Sequence, residues 1–435
     1  MKTVPLRRLI HSLDNGSWGL EPGESDVDAL CVRAADFDYR ALRVDLARSP
    51  LRSFDARTWA RLRLVPGDIV LEKSGGGDAA PVGRAVLYGD RLPAVTSNFA
   101  ARVRAASTVD PRYLVYVLSS LYSSGATVRC VKQTTGIQNL DTEAWLQTPA
   151  ASHSLDVQRQ IADFLDDRVA RIDQIISARR SQQLTVDEAF AAQRRVAVVG
   201  QGPHAKATGL PWAEHSSADR SVRRLSQVAL MGTGHTPSRS EPTYWVDCDI
   251  PWLTTSDVHR FRRDEVDRLG HTTIQISKLG LANSAAVLHP GGTVALSRTA
   301  SAGFSIVMDQ PMATSQDFVT WTCGPELRAD FLLHTLRVMR PFLLGNLATG
   351  STHKTIYFPD LMDLRVLMPS LDAQDYAVQS VQESAARRND ALRSLRRQAE
   401  LLMEYKQSLI TAAVTGELDV TTAGSGIPSN GAADA

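Results

Sequence analysis

The chain has 435 residues, of which 43% are hydrophobic and 22% are charged, and its formal net charge at pH 7 is +1. This composition is typical of soluble globular proteins, and the length exceeds one ordinary core, so we expect two domains of roughly 150 to 170 residues plus helices. The small net charge excludes a protein that is basic over its whole surface, although it allows a local basic groove.

Two further classes of protein are disfavoured by the sequence. No apolar run approaches the ~20 residues of a membrane-spanning helix, and residues 1–8 lack the apolar core of a signal peptide. We therefore expect a cytoplasmic protein without membrane contact. Cys31, Cys130, Cys248 and Cys323 show no Cys-x-x-Cys spacing, which indicates neither a zinc site nor a disulfide framework.

The first 150 residues contain short candidate elements bounded by turn residues. Residues 29–33 and 82–88 have strand patterns, and residues 111–120 have the pattern of a short helix. Residues 145–149 are predicted to be a strand that a proline ends.

Two long helices are predicted, at residues 155–200 and 373–415, because apolar residues recur there at heptad spacing. The first would be roughly 65 Å long. The seam residues are Leu165, Val169, Ile172 and Ile176 in the first helix, and Leu392, Leu395, Leu402 and Leu409 in the second.

The sequence also indicates an internal repeat. Residues 413–416 lie 216 positions after residues 197–200, and Val-Arg-Arg-Leu at 222–225 lies 216 positions after Leu-Arg-Arg-Leu at 6–9. A weaker match places residues 289–291 at 224 positions after residues 65–67. Each half is thus one globular segment followed by one helix. Because each segment adjoins the end of one helix and the start of the other, the two helices are expected to be antiparallel.

We therefore predict an α+β fold, in which two mixed α/β domains are joined by two long antiparallel coiled-coil helices with an internal pseudo-twofold repeat. The predicted boundaries are residues 1–153 (first domain), 154–203 (first helix), 204–371 (second domain), 372–418 (second helix) and 419–435 (a disordered tail of small and polar residues).

A glycine loop at residues 74–77 follows a predicted strand and has Lys73 and Arg84 beside it. No Gly-Lys-Ser/Thr follows and no helix starts there, so a nucleotide site is disfavoured. The second half has a similar stretch at residues 295–304, with Arg298 among small residues. The loops either approach some other phosphate closely or are ordinary hairpins.

Polar stretches rich in amide and basic side chains occupy matching places at residues 132–140 and 350–356. Asn and Gln are suited to adenine edges in the major groove, and Lys to phosphate or guanine. These stretches indicate nucleic-acid contact, with solvated surface loops as the alternative.

Common active-site motifs are absent from the sequence. There is no Walker loop, no Asn/Asp-Pro-Pro-Tyr, no His-Glu-x-x-His and no Gly-x-Ser-x-Gly. Asp68, Glu72 and Lys73 superficially suggest a nuclease, but they lie on one strand and Asp68 falls opposite Gly292 in the repeat.

Two domains, each followed by a long heptad helix, resemble the specificity subunit of type I restriction-modification enzymes over almost the whole chain. The motifs that carry this resemblance are residues 135–141, 158–173, 232–237, 250–258 and 413–418. The segment 371–377 departs from the run that usually precedes the second helix in that family.

The resemblance implies a non-catalytic subunit in which each domain reads one half of a split DNA site. It also implies two methyltransferase subunits bound to the paired helices, and endonuclease/translocase subunits in the complex. S-adenosylmethionine, ATP and magnesium are expected on those partners, and no cofactor or metal on this chain. The base-reading candidates are Lys73, Gln138, Asn139, Arg298, His353 and Lys354, and the phosphate-contact candidates are Arg7, Arg8, Arg84, Arg223 and Arg224. A coiled-coil scaffold that binds only proteins is the alternative.

If the helices set the gap between the half-sites, lengthening the chain near Gly200 by four helical residues should change that gap. Four residues add about 6 Å, close to two base-pair steps, and rotate the heptad seam only modestly. The variant should prefer the same half-sites with one or two more unspecified base pairs between them, which methylome sequencing of cells carrying it would show. An unchanged gap would mean that the helices do not set the spacing.

Overall fold

The structure is a computed structural model that describes residues 2–134, 136–200, 205–350 and 354–420. The chain divides into two compact units: unit 1 is Met1–Arg180 with Arg396–Ala435, and unit 2 is Ser181–Leu395. Each unit therefore contains part of both long helices. Within the described residues, no helix is long and apolar enough to cross a membrane.

Unit 1 combines a six-stranded sheet of order β2-β11-β7-β9-β5-β4 with two three-stranded sheets, β10-β3-β6 and β12-β13-β8, and a pair, β1-β14. Its strands are β1 (Lys2–Pro5), β2 (Ile10–Asn15), β3 (Val27–Val32), β4 (Phe37–Asp38), β5 (Arg43–Val44), β6 (Leu51–Phe54), β7 (Ile69–Glu72), β8 (Ser74–Gly75), β9 (Ala85–Leu87), β10 (Ala94–Thr96), β11 (Ala100–Ala105), β12 (Val131–Thr134), β13 (Ile137–Leu140) and β14 (Pro149–Ser152). Its helices are α1 (Ala56–Leu62), α2 (Pro111–Ser123), α3 (Thr142–Leu146) and the first part of α4 (Leu155–Val199).

Unit 2 combines a five-stranded sheet of order β18-β25-β22-β23-β20 with a three-stranded sheet, β21-β19-β24, and the pairs β15-β16 and β17-β26. Its strands are β15 (Lys206–Leu210), β16 (Ala213–Ser216), β17 (Ser221–Arg224), β18 (Ala229–Thr233), β19 (Ile250–Leu253), β20 (Arg268–Leu269), β21 (Ile274–Ile276), β22 (Val294–Ser297), β23 (Ser305–Met308), β24 (Ala313–Thr314), β25 (Phe318–Cys323) and β26 (Arg365–Met368). Its helices are α5 (Lys278–Ala282), α6 (Ala329–Phe342), α7 (Phe358–Met362) and the first part of α8 (Leu371–Thr415).

The predicted repeat is visible in the strand orders. The run β2-β11-β7-β9 of unit 1 corresponds to β18-β25-β22-β23 of unit 2, and β10-β3-β6 corresponds to β24-β19-β21. The predicted strand at residues 145–149 is wrong: Asp141 accepts a hydrogen bond from the Ala144 N–H and caps α3, so Trp145 is helical and buried, and the strand begins at Pro149.

Both long helices have 45 residues and were predicted from their heptad spacing. In unit 1 the seam residues Leu165, Val169, Ile172 and Ile176 are buried in α4, and Leu402 and Leu409 of α8 are half-buried. In unit 2, Leu392 is buried and Leu395 is half-buried.

Within each unit the two helical segments run antiparallel and are joined by an ion pair. In unit 1, Lys406 Nζ donates to both oxygens of Asp173 at 2.8 Å and to the Arg40 carbonyl at 2.7 Å. In unit 2, Arg388 Nε donates to Asp187 at 2.6 Å. In both units the acid belongs to α4 and the base to α8.

A buried glutamine in the first turn of each long helix ties that helix to its domain. Gln158 accepts a hydrogen bond from the Asp110 N–H at 2.9 Å and donates to the carbonyls of His153 at 2.8 Å and Thr108 at 3.3 Å. Gln374 accepts from the Arg328 N–H at 2.8 Å and donates to the carbonyls of Glu326 and Pro369. Segment 371–377 was noted above as departing from the family that the sequence resembles, but it keeps the side chain that makes these bonds.

We predict that Gln158→Ala destabilises the junction between α4 and its domain by about 1 to 3 kcal/mol, because it leaves buried backbone groups without partners. Hydrogen exchange of α2 and β14 should accelerate accordingly. Gln160→Ala, at an exposed position of the same turn, is the matched control. Equal protection in both variants would contradict the prediction.

A buried network of charged side chains lies in unit 2. Burial alone would raise the pKa of Asp264, but the guanidinium groups of Arg337, Arg340 and Arg194 hold it well below its ordinary value. His334 lies beside this network and is 2% exposed, and neither ring nitrogen has a hydrogen-bond partner among the described residues. Burial therefore lowers the pKa of His334 to about 3.

This lowered pKa predicts a loss of stability on acidification. The unfolded chain binds a proton at His334 near pH 6.5, whereas the folded chain does not. Stability should therefore fall as the pH drops below that value, by about 2 kcal/mol on reaching pH 5. The free energy of unfolding of unit 2 can be measured by urea titration followed by hydrogen exchange at several pH values between 7 and 5. It should change less with pH in His334→Leu than in the wild type. If the unfolding free energies of the two proteins changed equally with pH, His334 would take up its proton in the folded chain as well.

Candidate nucleic-acid interface

The glycine loop and the polar stretch of unit 1, predicted separately from the sequence, lie side by side. Strand β13 pairs with β12 on one side and with β8 on the other, so that Asn139 lies opposite Lys132 and opposite Ser74. The polar stretch is thus a β-hairpin, and the glycine loop supplies the third strand of its sheet. Ser74 Oγ donates to Asn139 Oδ1 at 2.7 Å.

Lys73 precedes this sheet and is half-buried, and its Nζ donates to Asn15 Oδ1 at 3.1 Å. The Lys73 N–H donates to the Phe99 carbonyl at 2.9 Å, and its carbonyl accepts from the Leu140 N–H at 2.8 Å. These two backbone bonds fix where the lysine leaves the sheet. The Phe99 side chain itself is 46% exposed.

Arg298 occupies the same backbone position in unit 2. Its N–H donates to the Asp317 carbonyl at 2.8 Å, and its carbonyl accepts from the Ile356 N–H at 2.8 Å. The residues before the two basic positions also correspond, because Glu72 and Ser297 exchange backbone bonds with the chain at Gly83 and Gly303, respectively. The predicted correspondence of the two loops is therefore confirmed in backbone geometry.

In unit 2 the two predicted stretches also come together. Thr355 bridges to Thr299 and to Thr349, which brings Lys354 close to the loop of Arg298. Lys354 is exposed and its Nζ donates to the Leu344 carbonyl at 3.2 Å. Arg298 lies over the Phe358 ring, 4.5 Å from its centroid, and its Nε donates to the Gln316 carbonyl at 3.0 Å. His353 lies outside the described residues.

The two amide candidates of unit 1 face opposite sides of β13. Asn139 is exposed, whereas Gln138 is 6% exposed and its Oε1 lies 3.4 Å from the Val82 N–H. Successive side chains of a strand alternate between faces, so only one of the two is available to a ligand without rearrangement. The assignment of Gln138 as a base reader stays a prediction that requires such a rearrangement.

Arg84 is held inside unit 1 by aromatic rings. Its guanidinium lies 4.5 Å from the centroid of Tyr39 and 5.3 Å from that of Tyr122, and its Nε donates to Tyr122 Oη at 3.1 Å. A phosphate contact by Arg84 would compete with these interactions, and that assignment also stays a prediction.

The arginine pairs predicted to contact phosphate are not equivalent in the two units. Arg7 and Arg8 are exposed in the 3-10 turn Leu6–Arg8, whereas Arg223 and Arg224 end strand β17. The buried residue that begins the corresponding turn in unit 2 is Leu225, whose N–H donates to Leu364 as that of Leu6 donates to Thr148. The 216-residue match of these segments is therefore wrong by three residues.

The surroundings of the arginines differ as well. Arg8 lines a cavity of about 380 Å³ with Ser154 at the start of α4, while Arg223 forms an ion pair with Glu326 at 3.6 Å. Arg224 is exposed and lines a cavity of about 870 Å³ together with Ser226. All four stay candidates for phosphate contact.

The carboxylates considered for a nuclease are engaged in structural contacts. Asp68 accepts from Arg104 Nε at 2.9 Å and from the Val65 N–H at 2.9 Å. Burial raises the pKa of Glu72, against the effects of Arg84 and of the Tyr39 hydroxyl. The described residues contain no group of three or more His, Cys, Asp or Glu that could hold a metal ion.

The predicted repeat partner of Asp68 is wrong by one residue. The N–H groups of Asp68 and Thr293 both donate to the carbonyl of the third residue before them, Val65 and Pro290. Their carbonyls accept from the N–H groups of Tyr88 and Met308, respectively. Gly67 and Gly292, with φ of 98° and 85°, form the corresponding turns. Unit 2 therefore has Thr293 and Ser297 where unit 1 has Asp68 and Glu72.

Four further residues, Lys132, Ser74, Ile137 and Phe99, lie around the predicted readers and are not among the residues predicted from the sequence. Ile137 is 49% exposed and shares the exposed face of β13 with Asn139. The alternation of residues 137–140 could have indicated this face, but only once the stretch was recognised as a strand.

The comparisons with known proteins agree on one family. Residues 218–387 match the family described as Type I restriction modification DNA specificity domain. Over 186 residues the chain is 23% identical to the Type I restriction enzyme MjaIX specificity subunit of Methanocaldococcus jannaschii. That alignment covers 42% of this chain and 41% of the relative, so the chain matches less than half of the relative's length.

Two solved structures share the fold over almost the whole chain. One, from a study of complex assembly and conformational transition of the type I R-M system, has a TM-score of 0.70 and 16% identity, covering 96% of this chain and 98% of that chain. The other, the HsdS subunit from Thermoanaerobacter tengcongensis, has a TM-score of 0.51 and 15% identity, covering 96% and 97%. The predicted fold class is confirmed.

Proposed function

We propose that this chain, which carries a type I restriction modification DNA specificity domain and has the fold of HsdS subunits, reads a bipartite DNA target with one half-site per unit. The observation that supports this most directly is the pair of equivalent backbone positions that carry Lys73 in unit 1 and Arg298 in unit 2. One scaffold thus presents a different basic side chain, with different polar neighbours, in each unit. Two different half-sites can be read in this way.

We propose that the chain itself is not catalytic and that methyltransferase and endonuclease subunits supply the chemistry. Their S-adenosylmethionine, ATP and magnesium would be bound on those partners. In support, Asp68 and Glu72 are held by Arg104, Tyr39 and Arg84 rather than directed at an open site. Two methyltransferase subunits, bound along α4 and α8, are the partners that the family resemblance implies. A complex acting on DNA in the cytoplasm is the proposed setting.

The test is the binding of the full chain to duplexes that contain its site, identified by sequencing methylated bases in the native genome. Phosphate contacts make affinity fall steeply with salt. Scrambling either half-site should reduce affinity, and Lys354→Ala should remove about 1 to 3 kcal/mol of discrimination at the half-site of unit 2 only.

Lys206→Ala is the matched control, because Lys206 is also exposed in unit 2 and also donates from Nζ to a backbone carbonyl. If Lys354→Ala weakened cognate and scrambled second half-sites equally, Lys354 would not be a reader. Salt-independent binding, or no preference for either half-site, would favour a protein-binding scaffold.

A further inference from the structure

The hairpin of unit 1 has the dimensions of a groove-binding element. Strands β12 and β13 pair antiparallel over four residues each, from Val131 opposite Leu140 to Thr134 opposite Ile137. The major groove of B-DNA admits a two-stranded β-ribbon. Strand β8 pairs with β13 only at Gln138 and Asn139, so Ile137 lies on the two-stranded part of the hairpin. Gly136, directly before β13, has a φ of 84°, a backbone conformation that glycine adopts without strain.

The exposed side of this ribbon carries a defined set of side chains. Along β13, Ile137 and Asn139 are exposed, while Gln138 and Leu140 are buried. Across the ribbon, Lys132 lies opposite Asn139, and Ser74 of β8 lies on its other side. The polar side chains of Lys132, Asn139 and Ser74 therefore form a row across the sheet, and the apolar side chain of Ile137 lies two residues along β13 from that row.

Ile137 is the unusual member of this face. Its side chain is 49% exposed beside polar and basic neighbours, at the end of the hairpin farthest from the core residue Leu140. In the major groove the thymine methyl group is the apolar group available for such a side chain to contact. An exposed β-branched residue that takes no part in the described apolar clusters is suited to that contact.

We propose that Ile137 reads the methyl group of a thymine in the half-site of unit 1, close to the base that Asn139 reads. This rests on the proposed DNA-reading function. Residues two apart on a strand are separated by about 6.6 Å, close to two base-pair steps. A strand lying along the groove would thus place the thymine about two base pairs from the base contacted by Asn139.

The experiment replaces thymine by deoxyuracil, which removes the methyl group and keeps every base-pairing group. Each thymine of the genomic site is replaced in turn, and binding to the full chain is measured. At one position in the half-site of unit 1, deoxyuracil should weaken binding about fourfold, the value expected for one buried methyl group. Ile137→Ala should weaken binding to the thymine duplex and lose this dependence on the methyl group.

Two controls separate this contact from a general defect. Leu92→Ala changes another exposed apolar residue of unit 1, whose side chain is 51% exposed. Binding by this variant should still depend on the thymine methyl group. Replacements in the half-site of unit 2 should affect wild type and Ile137→Ala equally. Circular dichroism of both variants should match the wild type, since neither side chain is buried.

Three results would overturn the inference while leaving the DNA-reading function intact. These are a half-site of unit 1 without an A·T pair, no effect of deoxyuracil at any position there, and an effect that persists in Ile137→Ala. By contrast, a wild-type chain with no sequence preference would overturn the proposed function and this inference together.

Discussion

The buried glutamine at the start of each long helix is the contact that the two-unit architecture depends on. Gln158 and Gln374 each accept a hydrogen bond from the N–H of the residue that precedes a domain helix, Asp110 before α2 and Arg328 before α6, and each donates to two backbone carbonyls. A neutral amide can satisfy all three groups in a buried place without the desolvation cost of a charge. The first turn of each long helix is thereby held against its own domain.

The two domains also share a backbone geometry that carries different side chains in each unit. The turns at Gly67 and Gly292, and the paired hydrogen bonds around Lys73 and Arg298, place a basic residue at the end of a central strand. Beyond that point the units diverge, with a polar ribbon beside Lys73 and an aromatic support, Phe358, beneath Arg298. The shared part determines where a side chain emerges, and the divergent part determines what it can bind.

The long helices and the repeat could be predicted because heptad spacing and long-range matches are properties of the sequence alone. The sequence did not predict features that depend on a helix cap or on which face of a strand a side chain occupies. Residues 145–149 read as a strand because Trp145 is apolar, whereas the Asp141 cap makes that segment helical. The two Arg-Arg pairs matched by letter, but the buried Leu6 and Leu225 set the true alignment. Gln138 and Asn139 were equivalent in sequence, and only the pleat of β13 distinguishes them.

The ion pairs between the two long helices also affect which helices can pair with each other. By the 216-residue repeat, a second copy of α4 in the place of α8 would set Phe190 where Lys406 lies and Ile172 where Arg388 lies. Asp173 and Asp187 would then each face a hydrocarbon side chain and lose the ion pair that each makes in the natural chain. Two α8 helices would likewise leave Lys406 and Arg388 facing Asn389 and Met403. Acid on one helix and base on the other thus favour pairing of α4 with α8 over pairing of either helix with a second copy of itself.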